Sequence, residues 1–409
     1  MSLAKNVEFL RHLPKLNPIN GLGVFRQGLR PGLRSPLTEV TGFGTNPGDL
    51  RMFSYVPDSL QPSPALVVVL HGCGQSAAGY DLGAGWSTLA RRYGFALLMP
   101  EQQPSNKANG CFNWFNPEDT ARDHGEACSV RQMIARMVSD VGVDRHRIFV
   151  TGLSAGGAMT SVMLATYPEI FAGGAVIAGL PFGVASNIRE ALNGMSQSPA
   201  RPAAELGDLV RNASKYKGPW PKISVWHGSA DRTVNPANAN EIVKQWLDLH
   251  QLPSVPMSEA TVDGYPHQVW WNADGETTVE SYTITNMAHG TPLGIADNDE
   301  RYGAEGAFLI EAGISSSYHI ASFFGLTEWI RQSKPAAGET ATVGKTIPKT
   351  GSRIPLSNVA PVRTPDLTAM LWPLTTLARQ PEPPPPPRRR AIDVGAVITR
   401  ALTAAGLMK

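Results

Sequence analysis

The sequence predicts an α/β protein: a mostly parallel central sheet flanked by helices, followed by a Pro-rich C-terminal extension. Three observations predict it. The run from Pro64 to Leu70 is continuously apolar, as expected of a strand covered on both faces. Segments of helix length at 127–141, 158–167 and 239–249 alternate with such runs, which argues for helices on both faces of the sheet. Several runs end in Gly-rich turns that carry Ser, Asp or His, and the C-terminal rim of an open parallel sheet is where ligands gather.

Taken in chain order, the first strand runs into His71-Gly72-Cys73-Gly74-Gln75. A strand followed by His-Gly and small residues is where the α/β hydrolases place the loop whose backbone N–H completes the oxyanion hole, so one donor is assigned to the amide of Cys73 or its neighbour. A loop from Pro104 to Pro117 holds the aromatic cluster Phe112, Trp114 and Phe115 beside Asn113. Next, the β-branched run Arg147-Ile148-Phe149-Val150-Thr151 ends in Gly152-Leu153-Ser154-Ala155-Gly156, before Gly157-Ala158-Met159 opens a helix. A strand, G-x-S-x-G and a small-residue helix start read as a nucleophile elbow, whose tight turn pushes the serine hydroxyl into the open. Helix amides favour developing negative charge there, so the amide of Ala155 is the second donor.

The strand from Ile223 to Gly228 leads to Asp231 on the same rim, where the carboxylate is an acid candidate. The run from Thr278 to Thr285 alternates like a half-buried strand and delivers His289 in a Gly-flanked loop. Serine is a weak nucleophile at its free pKa, so it needs an imidazole to take its proton and a carboxylate to orient that imidazole. The order Ser154, Asp231, His289 is that of the α/β-hydrolase triad. Of the other histidines, His71 and His227 precede glycines at strand ends and read as loop braces. His124 reads as structural or at a pocket edge, and His319 as a surface or capping residue opening a helix from Ile320 to Trp329.

With these residues in place, the chain resembles the poly(3-hydroxybutyrate) depolymerase family esterases, relatives of the feruloyl and acetyl-xylan esterases of α/β-hydrolase type. The resemblance is carried by the His71 to Gln75 loop with Gly85-Trp86, Cys111 to Phe115, Gly125-Glu126-Ala127 and Gly152 to Gly157. It continues through Trp226 to Val234, Met287 to Pro292, Gly313 to Ser317 and Phe323 to Leu326. It implies Ser154 as nucleophile, Asp231 as acid, His289 as base and the Cys73 amide in the oxyanion hole. It also places Trp114, Phe115 and Asn113 beside the site, and Trp271 is added as a substrate contact from the aromatic pair before the histidine strand. The implied activity is a serine carboxylester hydrolase acting on poly- or oligo-(3-hydroxyalkanoates). The alternative is a feruloyl or acetyl-xylan esterase, and from another class a binding protein on a hydrolase shell.

Composition suits this reading. The 409 residues are 42% hydrophobic and 17% charged, enough for a large core plus less ordered ends. The net charge of +2 hides an asymmetry: residues 1–35 carry six Lys/Arg against one acid and residues 334–409 eleven against four, leaving the middle acidic. That distribution argues against a nucleic-acid-binding fold. The expected organisation is a basic extension over 1–35, a catalytic domain over 36–333, a Pro-rich linker over 334–390 and a short helix over 391–409. The linker ends in Pro383 to Pro387 and Arg388-Arg389-Arg390, and the last segment spaces apolar residues like one helical face. That tail docks on the protein or frays free, or else anchors to a polymer granule or membrane surface.

The N-terminus lacks the apolar core and small-residue cleavage site of a secretory signal, so the expected address is the cytoplasm, with secretion the alternative. Three cysteines make no disulfide scaffold; a bridge between Cys73 and Cys111 stays open, and Cys128 reads as a small buried hydrophobe. No metal spacing or phosphate loop is present, so no metal or cofactor is implied.

Overall fold

The computed structural model describes residues 34–327, so most of the basic N-terminal segment, the Pro-rich stretch and the final segment lie outside the described residues. The elements run β1 (Thr38–Val40), β2 (Arg51–Tyr55), β3 (Leu66–Leu70), α1 (Ala77–Ala84), α2 (Trp86–Tyr93), β4 (Ala96–Glu101), α3 (Pro117–Thr120) and α4 (Gly125–Val141). They continue with β5 (Ile148–Leu153), α5 (Ala155–Thr166), β6 (Gly173–Ile177), α6 (Ile188–Gln197), α7 (Ala203–Ala213), β7 (Lys222–Gly228) and α8 (Ala237–His250). Last come β8 (Ser258–Val262), β9 (Tyr265–Trp271), β10 (Thr277–Ile284), β11 (Thr291–Leu293), β12 (Leu309–Glu311) and α9 (Ser316–Phe323).

Ten strands form one mixed sheet in the order β1-β2-β4-β3-β5-β6-β7-β10-β9-β8. The six from β4 to β10 are parallel, and antiparallel strands flank them on both sides. This is an α/β sheet with helices on both faces, and β3 shows why its sequence looks as it does. Leu66, Val68 and Leu70 face one buried cluster, with Val130 and Met133 of α4 and Met159 of α5. Val67 and Val69 face the other, with Trp86 and Leu89 of α2 and Ile320 of α9. Successive side chains point to opposite faces and both faces are covered, so the run has no polar position.

Strand β10 departs from the expected alternation. Of its eight residues only Thr283 is exposed, because β7 and β9 pair with its two edges and the two clusters cover its faces. Glu280 and Ser281 are buried there despite being polar. Glu280 is satisfied by Ser224, whose hydroxyl donates to Oε1 at 2.7 Å, and by His267 Nε2 at 3.0 Å from Oε2.

Register brings the chemistry to one rim. Leu70 pairs with Gly152, Leu153 with Ile177 and Gly228 with Ile284, so β3, β5, β6, β7 and β10 end nearly level. The start of α5 then packs directly on the end of β3. A Cβ at Gly156 would lie 2.3 Å from the Leu70 carbonyl oxygen and 2.5 Å from that of His71. Because backbone rather than a flexible side chain stands in the way, Gly156→Ala should cost about 3 kcal/mol of stability. Urea denaturation checks this; a loss under about 1 kcal/mol would mean that α5 is not seated on β3 as described.

Candidate active site

Ser154 sits between β5 and α5 at φ 58°, ψ −117°, a left-handed backbone that non-Gly residues adopt at some cost. The turn is held by its neighbours. Ser154 N donates to Ile177 O at 2.9 Å, and Ala158 N donates to Ser154 O at 2.8 Å. A Cβ at Gly152 would lie 2.4 Å from Gly156 O, so the elbow closes only with glycine there.

His289 Nε2 lies 2.9 Å from Ser154 Oγ, and His289 Nδ1 lies 2.7 Å from Asp231 Oδ2. All three residues are buried. A carboxylate only accepts, so Nδ1 carries the ring hydrogen and Nε2 is left to accept the serine proton. Asp231 is held on all sides: its Oδ1 accepts from the amides of Thr233 at 2.8 Å and Val234 at 2.9 Å, and its Oδ2 also lies 3.1 Å from His227 Nε2. Burial alone would raise this carboxyl, but donation from His227 and His289 overrides it and holds the group well below the usual carboxylate range. The loops bearing Asp231 and His289 are tied together by Ser229 N to Ile284 O and Ala230 N to Met287 O, both 3.0 Å.

The loop after β3 supplies the other half of the site. His71 is fully buried and neutral, its ring pushed down to about 4 by desolvation. Its Nδ1 donates to Gly72 O at 2.8 Å and its Nε2 accepts from Gln102 N at 3.1 Å, a brace for the loop as its sequence position suggested. Gln75 N donates to Gly72 O and Gly74 N to Asn109 O, while a disulfide joins Cys73 to Cys111. Among the described residues the amides of Cys73 and Ala155 have no hydrogen-bond partner. Such donors on two converging loops can hold an oxyanion.

Behind this loop lies Glu126, fully buried at the start of α4. Its Oε1 accepts from Gln102 Nε2 at 2.5 Å and from Asn113 Nδ2 at 2.8 Å, and its Oε2 accepts from Asn113 N at 2.8 Å. Gln102 Nε2 also reaches Cys111 O at 3.2 Å, so the carboxyl group anchors the loop that the disulfide joins to Cys73.

Two expected substrate contacts need correcting. Trp271 pairs with Thr277 at the start of β10, whereas His289 follows its far end, about 23 Å along the strand. Asn113 is buried and spends its side-chain amide on Glu126 rather than presenting it to a ligand. Trp114 is 9% exposed and packs edge-on to the half-buried Phe115, whose loop the disulfide holds beside Cys73. His319 is not a surface residue: it lies inside α9, buried, with Nε2 2.9 Å from Asp263 Oδ2. His124 is the exposed residue preceding α4, and Cys128 is buried and free.

Sequence reasoning missed Phe308, whose ring stands edge-on to His289 with centroids 5.8 Å apart, and which adopts φ 61°. It also missed Gln75 Nε2, which donates to Ala307 O at 3.0 Å and fastens the loop after β3 to the Phe308 segment. No local pattern marks either residue. A cavity of about 1120 Å³ lies elsewhere, toward the starting ends of β7 and β10, lined by Lys222, Trp220 and Thr277 and by none of the three residues above.

The family model described as Esterase PHB depolymerase matches residues 53–258. Poly(3-hydroxyalkanoate) depolymerase C of Paucimonas lemoignei is 47% identical over 291 residues, 71% of this chain and 70% of that one. Acetylxylan esterase of Coprinopsis cinerea is 34% identical over 263 residues, 63% and 69% of the two chains. Feruloyl esterase B of Talaromyces stipitatus is 30% identical over 269 residues, 64% and 74%. Among solved structures, an acetyl xylan esterase from Aspergillus awamori superposes with a TM-score of 0.60 at 25% identity, covering 71% of this chain and 99% of that one.

Glu126 gives the site a pH signature. Burial pushes its carboxyl up to about 8, against the pull of Asn113 and Gln102. A raised folded-state value means that its stabilisation is complete below the unfolded value near 4 and is lost as pH rises through 8, at a limiting slope of about 1.4 kcal/mol per pH unit. Glu126→Gln should flatten the decline in melting temperature between pH 5 and 8; parallel curves for variant and wild type would contradict the assignment.

Proposed function

We propose that this chain, which belongs to the esterase PHB depolymerase family, hydrolyses ester bonds of poly- or oligo-(3-hydroxyalkanoates) through an acyl-enzyme. The observation that carries the reading is the hydrogen-bonded series Ser154–His289–Asp231, with separations of 2.9 and 2.7 Å. Ser154 Oγ attacks the ester carbonyl while His289 Nε2 takes its proton, and Asp231 steadies the imidazolium through Nδ1. The amides of Ala155 and Cys73 receive the charge that develops on the carbonyl oxygen. Collapse of the intermediate expels the alcohol with the proton from His289, and water then cleaves the acyl group from Ser154 by the same steps.

The substrate reading rests on the depolymerase from Paucimonas lemoignei at 47% identity, against 34% for the acetylxylan esterase and 30% for the feruloyl esterase. Trp114 and Phe115 support it as an apolar wall beside the oxyanion loop. Residues 36–333 form the catalytic domain in this reading. The Cys73–Cys111 bridge favours an oxidising compartment over the cytoplasm expected from the N-terminus. No helix among the described residues is long and apolar enough to cross a membrane. Contact with a granule or membrane surface is assigned to the basic segment from Arg388 onward.

Ser154→Ala and His289→Ala should each lower turnover of a p-nitrophenyl ester by roughly a million-fold, since nucleophile and base act as one unit. Retention of a tenth of wild-type activity by either variant would remove that residue from the mechanism. Side-by-side rates on hydroxybutyrate oligomers, polymer granules, methyl ferulate and acetylated xylan test the substrate; the oligomers should be hydrolysed fastest. Truncation after Ser333 should leave soluble-ester turnover within about two-fold while weakening salt-sensitive co-sedimentation with anionic granules or vesicles. Equal sedimentation of the two forms would dismiss the surface contact.

A further inference from the structure

The oxygen of Asp231 that receives His289 also receives a second imidazole. His227 lies at the end of β7, and the turn closed by Asp231 N to Gly228 O brings the carboxylate back over it. The separations to the shared Oδ2 are 2.7 Å from His289 Nδ1 and 3.1 Å from His227 Nε2. His227 Nε2 is also 3.0 Å from Val234 O. Both neighbours of that nitrogen can only accept, so Nε2 carries the hydrogen and divides it between them.

The other nitrogen decides the charge state. His227 Nδ1 is buried and has no hydrogen-bond partner among the described residues. A proton there would be a buried donor without an acceptor, and it would place a second positive charge close to His289. The ring is therefore the neutral Nε2–H tautomer. We propose that His227 is a positioning residue for hydrolysis: it donates to the shared oxygen of Asp231, fixes that carboxylate, and limits how much of its charge reaches His289.

The proposal rests on the reading of Ser154, His289 and Asp231 as the hydrolytic unit. The titratable groups acting on Asp231 are the two imidazoles, one from β7 and one from the loop after β10. Thr283, which faces His227 across the β7–β10 pair, brings no charge, and Arg232 is exposed. A carboxylate oxygen relieved of one donor holds its remaining partner more tightly. Removing His227 thus strengthens the pull of Asp231 on the protonated ring of His289, and a higher pH is then needed to free Nε2 for Ser154.

The test compares His227→Leu and His227→Gln in the full chain, reading kcat and KM for p-nitrophenyl butyrate from pH 5 to 9. The leucine variant should lose roughly ten-fold in kcat with KM within about two-fold, and the acid limb of its profile should move up by about half a pH unit. Glutamine places an N–H near the same oxygen and should recover most of kcat and return the limb. Where leucine fails to fold, His227→Asn, whose shorter amide falls short of Oδ2, reads the same displacement. An unmoved limb in the folded donor-less variant, or equal impairment by Gln, would overturn the proposal and leave His227 a brace for Val234. Failure of both donor-less variants to fold would overturn it in the same way. An active Ser154→Ala enzyme would instead sink the parent reading, whatever the His227 profiles show.

Discussion

The architecture of this protein hangs on one close approach, that of the first turn of α5 to the carbonyls at the end of β3. A Cβ at Gly156 would lie 2.3 Å from the Leu70 carbonyl oxygen, and one at Gly152 would lie 2.4 Å from Gly156 O and 2.8 Å from that same Leu70 oxygen. Once the helix is seated there, Ser154 is forced to φ 58° and its side chain leaves the turn on the rim of the sheet. The amide of Ala155 is unpaired among the described residues because the first N–H groups of any helix lack partners within it. The other functional groups are placed relative to that turn by register: Gly228 and Ile284 end level with one another, and their loops carry Asp231 and His289.

A second layer of order is polar and hidden. Glu126, Asn113, Gln102 and His71 form a chain of buried hydrogen bonds beneath the loop after β3, reaching from the start of α4 to the end of that strand. Such a network is costly wherever it is incomplete, so the pairing of its buried groups favours a single arrangement of the loop it supports. The disulfide from Cys73 to Cys111 joins the two sides of this arrangement covalently. The amide of Cys73 is therefore fixed by groups that never face a ligand.

What could be read from the sequence follows from how local the signals are. A buried parallel strand such as β3 announces itself by an unbroken apolar run, and each of Ser154, Asp231 and His289 stands a few residues beyond a run that reads as a strand. Strand direction is not announced. Trp271 looks adjacent to the histidine strand, but β9 runs antiparallel to β10 and carries it to the opposite end. The alternation read into 278–285 failed for a related reason, since pairing on both edges and covering on both faces bury polar residues that hydrogen bonds then satisfy. Phe308 and His227 acquire their significance through space: one reaches His289 from a distant loop and the other reaches Asp231 by a reversal of the chain. Single-sequence periodicity carries neither relation.

The fastening of Gln75 to Ala307 spans 232 positions, and the buried pair Tyr80 and Thr291 spans 211. Contacts of such separation are among the last to be gained as a chain folds, because closing the long intervening loop costs entropy before any contact compensates it. The elbow, by contrast, joins a strand to the helix that follows it directly. A chain still emerging from the ribosome thus carries its serine on a nearly finished turn well before the segments that complete the surroundings exist. The hydrogen-bonded series cannot close on Ser154 until His289, 135 positions further along, has been made and folded back against it.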